Sequence, residues 1–79
     1  MLFRSPLAGR RANLRGQDLR GINLEGRDLR GIDLQGANLE GACLENCRLE
    51  FANLKDANLK HADLRGANLR KTEIGRAHV

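Results

Sequence analysis

The chain has 79 residues and a net charge of +4, with 30% charged and 41% hydrophobic residues, the latter mostly leucine and alanine. At that length it is one small domain, and a compact globular core built from it would be marginal. Phe3 and Phe51 are its only aromatic residues, which argues against binding single-stranded nucleic acid on stacking platforms.

The opening stretch, residues 1–11, is out of phase with everything that follows and holds no apolar run long enough for a secretory signal or a membrane span. Cytoplasmic residence is the default expectation. Leu2, Phe3 and Leu7 are candidates to fold over the first repeats as a partial cap.

From there a leucine falls on every fifth residue: Leu14, Leu19, Leu24, Leu29, Leu34, Leu39, Leu44, Leu49, Leu54, Leu59, Leu64 and Leu69, with Ile74 next in step. On an α-helix, at about 100° per residue, successive leucines would sit about 140° apart and wander round the whole cylinder. A continuous strand would send every second leucine to the opposite face. The chain must therefore bend once per unit.

Each unit reads small residue, Asn or Asp, Leu, a polar or charged residue, then most often Gly, as in Ala37-Asn38-Leu39-Glu40-Gly41. The small residue and the Leu are two apart, so extended backbone points both to the same side. The residue left over is a corner, and the recurring glycines lie where a permissive backbone makes the bend cheap. A chain that turns the same way at each corner winds into a coil with leucine inside. One coil cannot bury its own apolar face, so coils must stack.

The run from Ala52 to Gly66, with Ala52-Asn53-Leu54, Ala57-Asn58-Leu59 and Ala62-Asp63-Leu64 in unbroken phase, resembles the A(D/N)LxX signature of pentapeptide repeat proteins. The resemblance covers about Ala12 to Lys71, and the repeat domain is expected over residues 12–72. It implies an all-β fold, a right-handed quadrilateral parallel β-helix with four pentapeptides to a coil and about three coils. It also implies that the twelve leucines named above form the core ladder. Several positions depart from the pattern. Gln17, Arg27 and Cys47 replace the small inward residue, Ile22 and Ile32 enlarge it, and Cys43 and Arg48 replace the Asn or Asp before Leu. Gln17 and Arg27 fall in the first coil, where an inward site opens to solvent; elsewhere Arg27 would be a costly buried charge.

Residues 73–79, Glu73-Ile74-Gly75-Arg76-Ala77-His78-Val79, resemble the in-frame translation of a common short-read sequencing adaptor ending at an accidental stop codon. On that reading the natural chain continues past Thr72. The final coil would be uncapped, and end-to-end homo-association is the expected consequence.

With twenty residues to a coil, outward positions twenty apart stack at about 4.8 Å. Arg20, Glu40 and Lys60 then form one column and Arg30, Glu50 and Arg70 another, an alternation suited to pairing between coils. Around the coils, Glu40, Glu45 and Glu50 make an acidic belt and Lys55, Lys60, Arg65 and Arg70 a basic one. These seven residues are the candidate contact surface for a protein partner that the sequence does not name.

Cys43 and Cys47 point to different faces in such a coil, so a bridge would require backbone movement. No second Cys or His pair repeats at metal-ligand spacing. His61 sits at a corner and His78 in the doubtful tail, with no Ser, Cys or carboxylate constellation converging on either. The expectation is a structural or protein-interaction module with no catalytic residues, cofactor or metal. Two alternatives stand beside it. Some members of the family resemble B-form DNA and bind type II topoisomerases, and this chain's basic balance argues against that role. Weak electrostatic binding of nucleic acid is the other, disfavoured by the acidic belt.

Overall fold

A computed structural model describes residues 12–79, and the expected cap over residues 1–11 lies outside them. Within the described residues, parallel β-bridges join each position to the one twenty further on. Asn13 pairs with Asp33, Asp33 with Asn53, and Asn53 with Glu73; Asp18, Asn23 and Asp28 start the other three columns. One coil is thus twenty residues, with four faces named here for their first leucines: the Leu14, Leu19, Leu24 and Leu29 faces. The bridges are isolated, one residue per face, because the chain turns before a longer strand can form. Residues 73–79 continue the same winding, with bridges at Glu73 and His78.

The unit at Leu39 shows why this sequence closes into this shape. The five consecutive backbone N–H groups from Asn38 to Ala42 all find acceptors. The Asn38 N–H donates to Gln17 O in the coil before (2.9 Å), while those of Leu39 and Gly41 donate to Asn58 O (2.8 Å) and Lys60 O (2.9 Å) in the coil after. The Ala42 N–H returns to Leu39 O (2.9 Å), closing the corner. The fifth, that of Glu40, donates to the Asn38 side-chain Oδ1 (3.1 Å). Asn or Asp precedes leucine for this reason: its side-chain oxygen accepts the one donor that the ladder and the turn leave over.

Gly41 stands at the third position of that turn with φ of 69°, the left-handed conformation of a type II turn. A Cβ there would meet open space, so glycine is favoured for its backbone freedom and not for lack of room.

Inside, Leu34, Leu39, Leu44, Leu49 and Leu54 are fully enclosed, as are Ala37, Ala42, Ala52 and Ala57. Each buried leucine contributes roughly 1.5–3 kcal/mol before conformational entropy is set against it. No polar or charged residue is buried among the described residues. The enlarged residues alternate with small ones along the axis: Ile32 is buried and Ile22 half-buried, each twenty residues from an alanine, Ala52 and Ala42. Gln17 and Arg27 are exposed, as expected of the first coil.

One expectation about the ladder is corrected. Leu69 is 41% exposed, and Leu14 and Leu64 are only partly buried. Leu69 follows Leu29 and Leu49 in its column and no coil is stacked after it, so its far side is open. At this end Leu54, Leu59, Leu64, Leu69, Ile74 and their neighbours line an apolar hollow of about 200 Å³. No helix of the described residues is long and apolar enough to cross a membrane.

Candidate interaction surface

The chemistry of the chain lies on its outside. The residues before and after each leucine are two apart, so both project from the same outer face. When they are Asp and Arg the guanidinium closes on the carboxylate with two bonds. Arg20 reaches Asp18 at 2.8 and 2.7 Å, Arg30 reaches Asp28 at 2.8 and 2.6 Å, and Arg65 reaches Asp63 at 2.9 and 2.7 Å. The same Asp Oδ1 also accepts the backbone N–H of its arginine.

These bonds hold the three carboxyls below the ordinary aspartate range, the arginine side chain being the largest cause in each case, and they raise the arginines in turn. All three pairs are solvent-exposed in part or whole, so each adds little to stability.

The expected columns stand in the twenty-residue register, but the ion pairs do not run along them. Arg20 and Arg30 form their ion pairs within their own coil and not with Glu40 and Glu50 above them. The reason is geometric. A carboxylate already fixed by a backbone N–H offers the guanidinium fork a bidentate site two residues away, while a glutamate in the next coil offers a looser contact. The ion pairs that do cross between coils are longer, Arg15 to Asp33 at 3.6 Å and Arg65 to Glu45 at 3.7 Å. Of the seven candidate contact residues, Glu40, Lys55, Lys60, Arg65 and Arg70 are exposed, whereas Glu45 and Glu50 are half-buried.

The belts run around the coils as drawn from the sequence, but a second ordering by face emerges from the twenty-residue register. The Leu29 face and its corner carry Arg27, Arg30, Arg48, Arg70 and Lys71 against Asp28 and Glu50; the adjacent Leu24 face carries Glu25, Glu45 and Asp63 against Arg65 alone. A basic side and an acidic side therefore meet along one edge of the coil.

The basic side has a distinct centre. Phe51 is 67% exposed and stands at a corner with φ of 64°. Other non-glycine corners with positive φ are Asn46, Asp56 and His61, residue types that adopt this conformation more readily, and Lys71. Phe51 and Lys71 are the two poorly suited residues, and they fall twenty apart in one corner column, each strained by about 1–2 kcal/mol relative to glycine. Beside them Arg30, Glu50, Phe51, Arg70 and Lys71 line a hollow of about 260 Å³.

Glu50 lies between Arg30 and Arg70 in this hollow. Its Oε2 accepts from Arg48 Nη2 at 3.3 Å, while its Oε1 is buried with no partner in hydrogen-bonding geometry. Its own backbone N–H, more than any side chain, holds the carboxyl below the ordinary glutamate range, with Arg48 adding to it against the cost of desolvation. Arg48 replaces the usual Asn or Asp, so no side-chain oxygen at that position serves the Glu50 N–H. Sequence reading singled out Glu50 and Arg70 but missed Phe51 and Lys71. Their signal was available: non-glycine, non-Asn residues at the corner position, twenty apart.

The two cysteines are free. Cys47 is buried in an inward slot, its thiol donating to Leu24 O at 2.8 Å, and burial pushes its pKa up. Thr72 does the same from the equivalent slot, donating to Leu49 O at 2.8 Å. Cys47 is thus a packed residue with a local donor, as its inward position implied. Cys43 is half-buried on the acidic face, where its ligating atom and those of Glu25 and Glu45 lie within 4.8 Å of one another. The register brings together three residues that sequence spacing alone keeps apart, and Arg65 already supplies a positive charge to Glu45 there. His61 and His78 are exposed on the Leu19 side.

The described chain is a twenty-residue coil with leucine inside, alanine beside it and Asn or Asp before most of the leucines. The sequence model of the pentapeptide repeats, in eight copies, matches residues 10–46 and 32–70. The chain belongs to the pentapeptide repeat family. Among solved structures of the family it is similar to HetL, a pentapeptide repeat protein involved in heterocyst differentiation regulation from the cyanobacterium Nostoc sp. strain PCC 7120, with 39% identity and a TM-score of 0.61 over 84% of this chain and 33% of that one. A pentapeptide repeat protein from the Arabidopsis thaliana thylakoid lumen gives 30% identity and a TM-score of 0.62 over 95% of this chain and 55% of that one. Rfr23 from the cyanobacterium Cyanothece 51142 gives 40% identity and a TM-score of 0.55 over 86% and 56%. The chain thus spans between a third and just over half the length of these pentapeptide repeat proteins. No curated protein matches it significantly.

Proposed function

We propose that this pentapeptide repeat chain is a non-catalytic protein-interaction module, wound as a right-handed four-sided β-helix and acting through its charged outer faces. The observation that carries the reading is the division of labour between inside and outside. The described interior is leucine, alanine and a few residues of similar character, so chemical distinction between one part of the molecule and another lies in the outward side chains. Those are sorted by sign, with a basic Leu29 face beside an acidic Leu24 face. Such a surface selects partners by charge complementarity and orients them on the rod.

The involvement of HetL in a regulatory process agrees with a family fold that works by contact. We place the protein in the cytoplasm, while noting that the Arabidopsis relative is from the thylakoid lumen. A topoisomerase modulator that imitates DNA would be supported by one continuous acidic face. The Leu24 face comes nearest, and Arg65 interrupts it.

The test is selection of a random peptide library on the immobilised, folded protein. Enrichment of a shared motif, with binding that weakens when outward charges are neutralised and the fold is retained, supports the module. Failure to enrich any motif on folded protein overturns it.

A further inference from the structure

We propose that the hollow beside Phe51 on the Leu29 face binds an acidic peptide segment that carries an apolar side chain. The proposal rests on the interaction-module reading and assigns that module a site and a ligand class. It draws on residues up to Lys71 and not on the last seven.

Charge gives the sign of the ligand. Arg30 is engaged by Asp28 and Arg48 by Glu50, but Arg70 and Lys71 have no ion-pair partner among the described residues and are exposed at the rim. Ligand carboxylates would complete them. The aromatic ring gives the second requirement. Phe51 is turned to solvent where it contributes little to the core, and it is held, like Lys71, in a backbone conformation that disfavours its residue type. Strain of this kind, concentrated at exposed neighbours in one column, marks sites of function more than sites of packing. An apolar ligand side chain laid on that ring would be sheltered by the long stems of Arg70 and Lys71.

Glu50 decides between a peptide and a nucleic acid. Its carboxylate is held by its own N–H and by Arg48, and Oε1 can still accept a further donor. A peptide backbone carries such a donor beside its carboxylates, whereas a phosphodiester backbone offers acceptors only. The patch is also short. From Arg30 to Arg70 is two coil steps, about 10 Å, room for about three residues of extended peptide. Around the edge lie Glu25, Glu45 and Asp63, which would oppose an anionic strand continuing past the corner.

The experiment measures fluorescence anisotropy of a short labelled peptide of repeated Glu-Glu-Leu-Asp against the full chain. Its controls are a peptide with lysine for each acidic residue and a single-stranded oligothymidine of similar length. Phe51→Gly removes the ring and relieves the corner, so it is expected to weaken the acidic peptide roughly tenfold while the thermal midpoint stays level or rises. Phe51→Tyr is expected to keep the affinity. Arg70→Gln with Lys71→Gly is expected to weaken binding several-fold and to flatten its salt dependence. Equal affinity of wild type and Phe51→Gly, equal binding of the lysine peptide, or tighter binding of the oligothymidine would each overturn the proposal. A library-selected peptide that binds Phe51→Gly unchanged would dismiss this site while leaving the module reading in place.

Discussion

The middle coil and the last coil have the same sequence pattern and different fates. Leu34, Leu39, Leu44 and Leu49 are fully enclosed, while Leu69 is 41% and Ile74 54% exposed. Nothing in the pentapeptides themselves accounts for this, since Ala67-Asn68-Leu69 repeats Ala37-Asn38-Leu39 residue for residue. Enclosure belongs to the neighbours: Leu29 and Leu49, which have a coil stacked after them, are buried, whereas Leu69 in the same column has none after it and is exposed. Stability in such a molecule is a property of interfaces between coils more than of the units.

The sharpest way to break the comparison is to truncate one leucine in each region. Leu44→Ala leaves a cavity with no solvent access and is expected to cost about 2–5 kcal/mol in chemical denaturation. Leu69→Ala removes a side chain already in contact with water and should cost under about 1 kcal/mol. Equal losses would mean that the last coil is covered in solution. A smaller contrast is expected at the polar position. Asn38→Ala removes the acceptor of the Glu40 N–H and should cost about 1 kcal/mol, whereas Asn68→Ala, whose oxygen serves Arg70 in the last coil, should cost less. The thermal midpoints of the two variants measure the difference.

Acid titration gives a gentler probe. Asp28 and Asp63 have folded pKa values lowered by Arg30 and Arg65. For a lowered carboxyl the stabilisation is present above the unfolded aspartate pKa and is lost as pH falls from there through the folded value. The denaturation midpoint should therefore hold from neutral pH down to the ordinary aspartate range and decline below it. Asp28→Asn and Asp63→Asn should each flatten part of that decline. The least perturbing test concerns the cysteines: an alkylating reagent at neutral pH should label half-buried Cys43 well before Cys47, whose burial raises its pKa. Mass spectrometry of the digested protein reads the order directly.

Much of the architecture was legible beforehand because the fold obeys a local rule repeated in phase. The five-residue beat of leucine excludes helix and strand, and the recurring small residue marks what faces inward. The inward burial of Cys47 and the exposure of Gln17 and Arg27 followed from position alone. The surface was harder to read. Arg20 has a carboxylate two residues back in Asp18 and another twenty ahead in Glu40, and only geometry reveals that the nearer one, already oriented by a backbone N–H, captures it. Leu69 looked like any other rung because enclosure depends on what lies beyond it. Phe51 stands out in the sequence only as an aromatic residue, and its weight at a corner comes from the left-handed backbone that the structure gives it.

The twenty-residue register also constrains how such a molecule can change. Deleting a single pentad between Phe51 and Lys71 would keep the leucines facing inward, yet it would rotate all downstream side chains by a quarter turn against those upstream. Lys71 would then leave the column of Phe51 and land beside a stranger. Scaffold tolerance and surface memory thus have different lengths, five residues for one and twenty for the other, and lineages that preserve a recognition site must gain or lose whole turns of the tube.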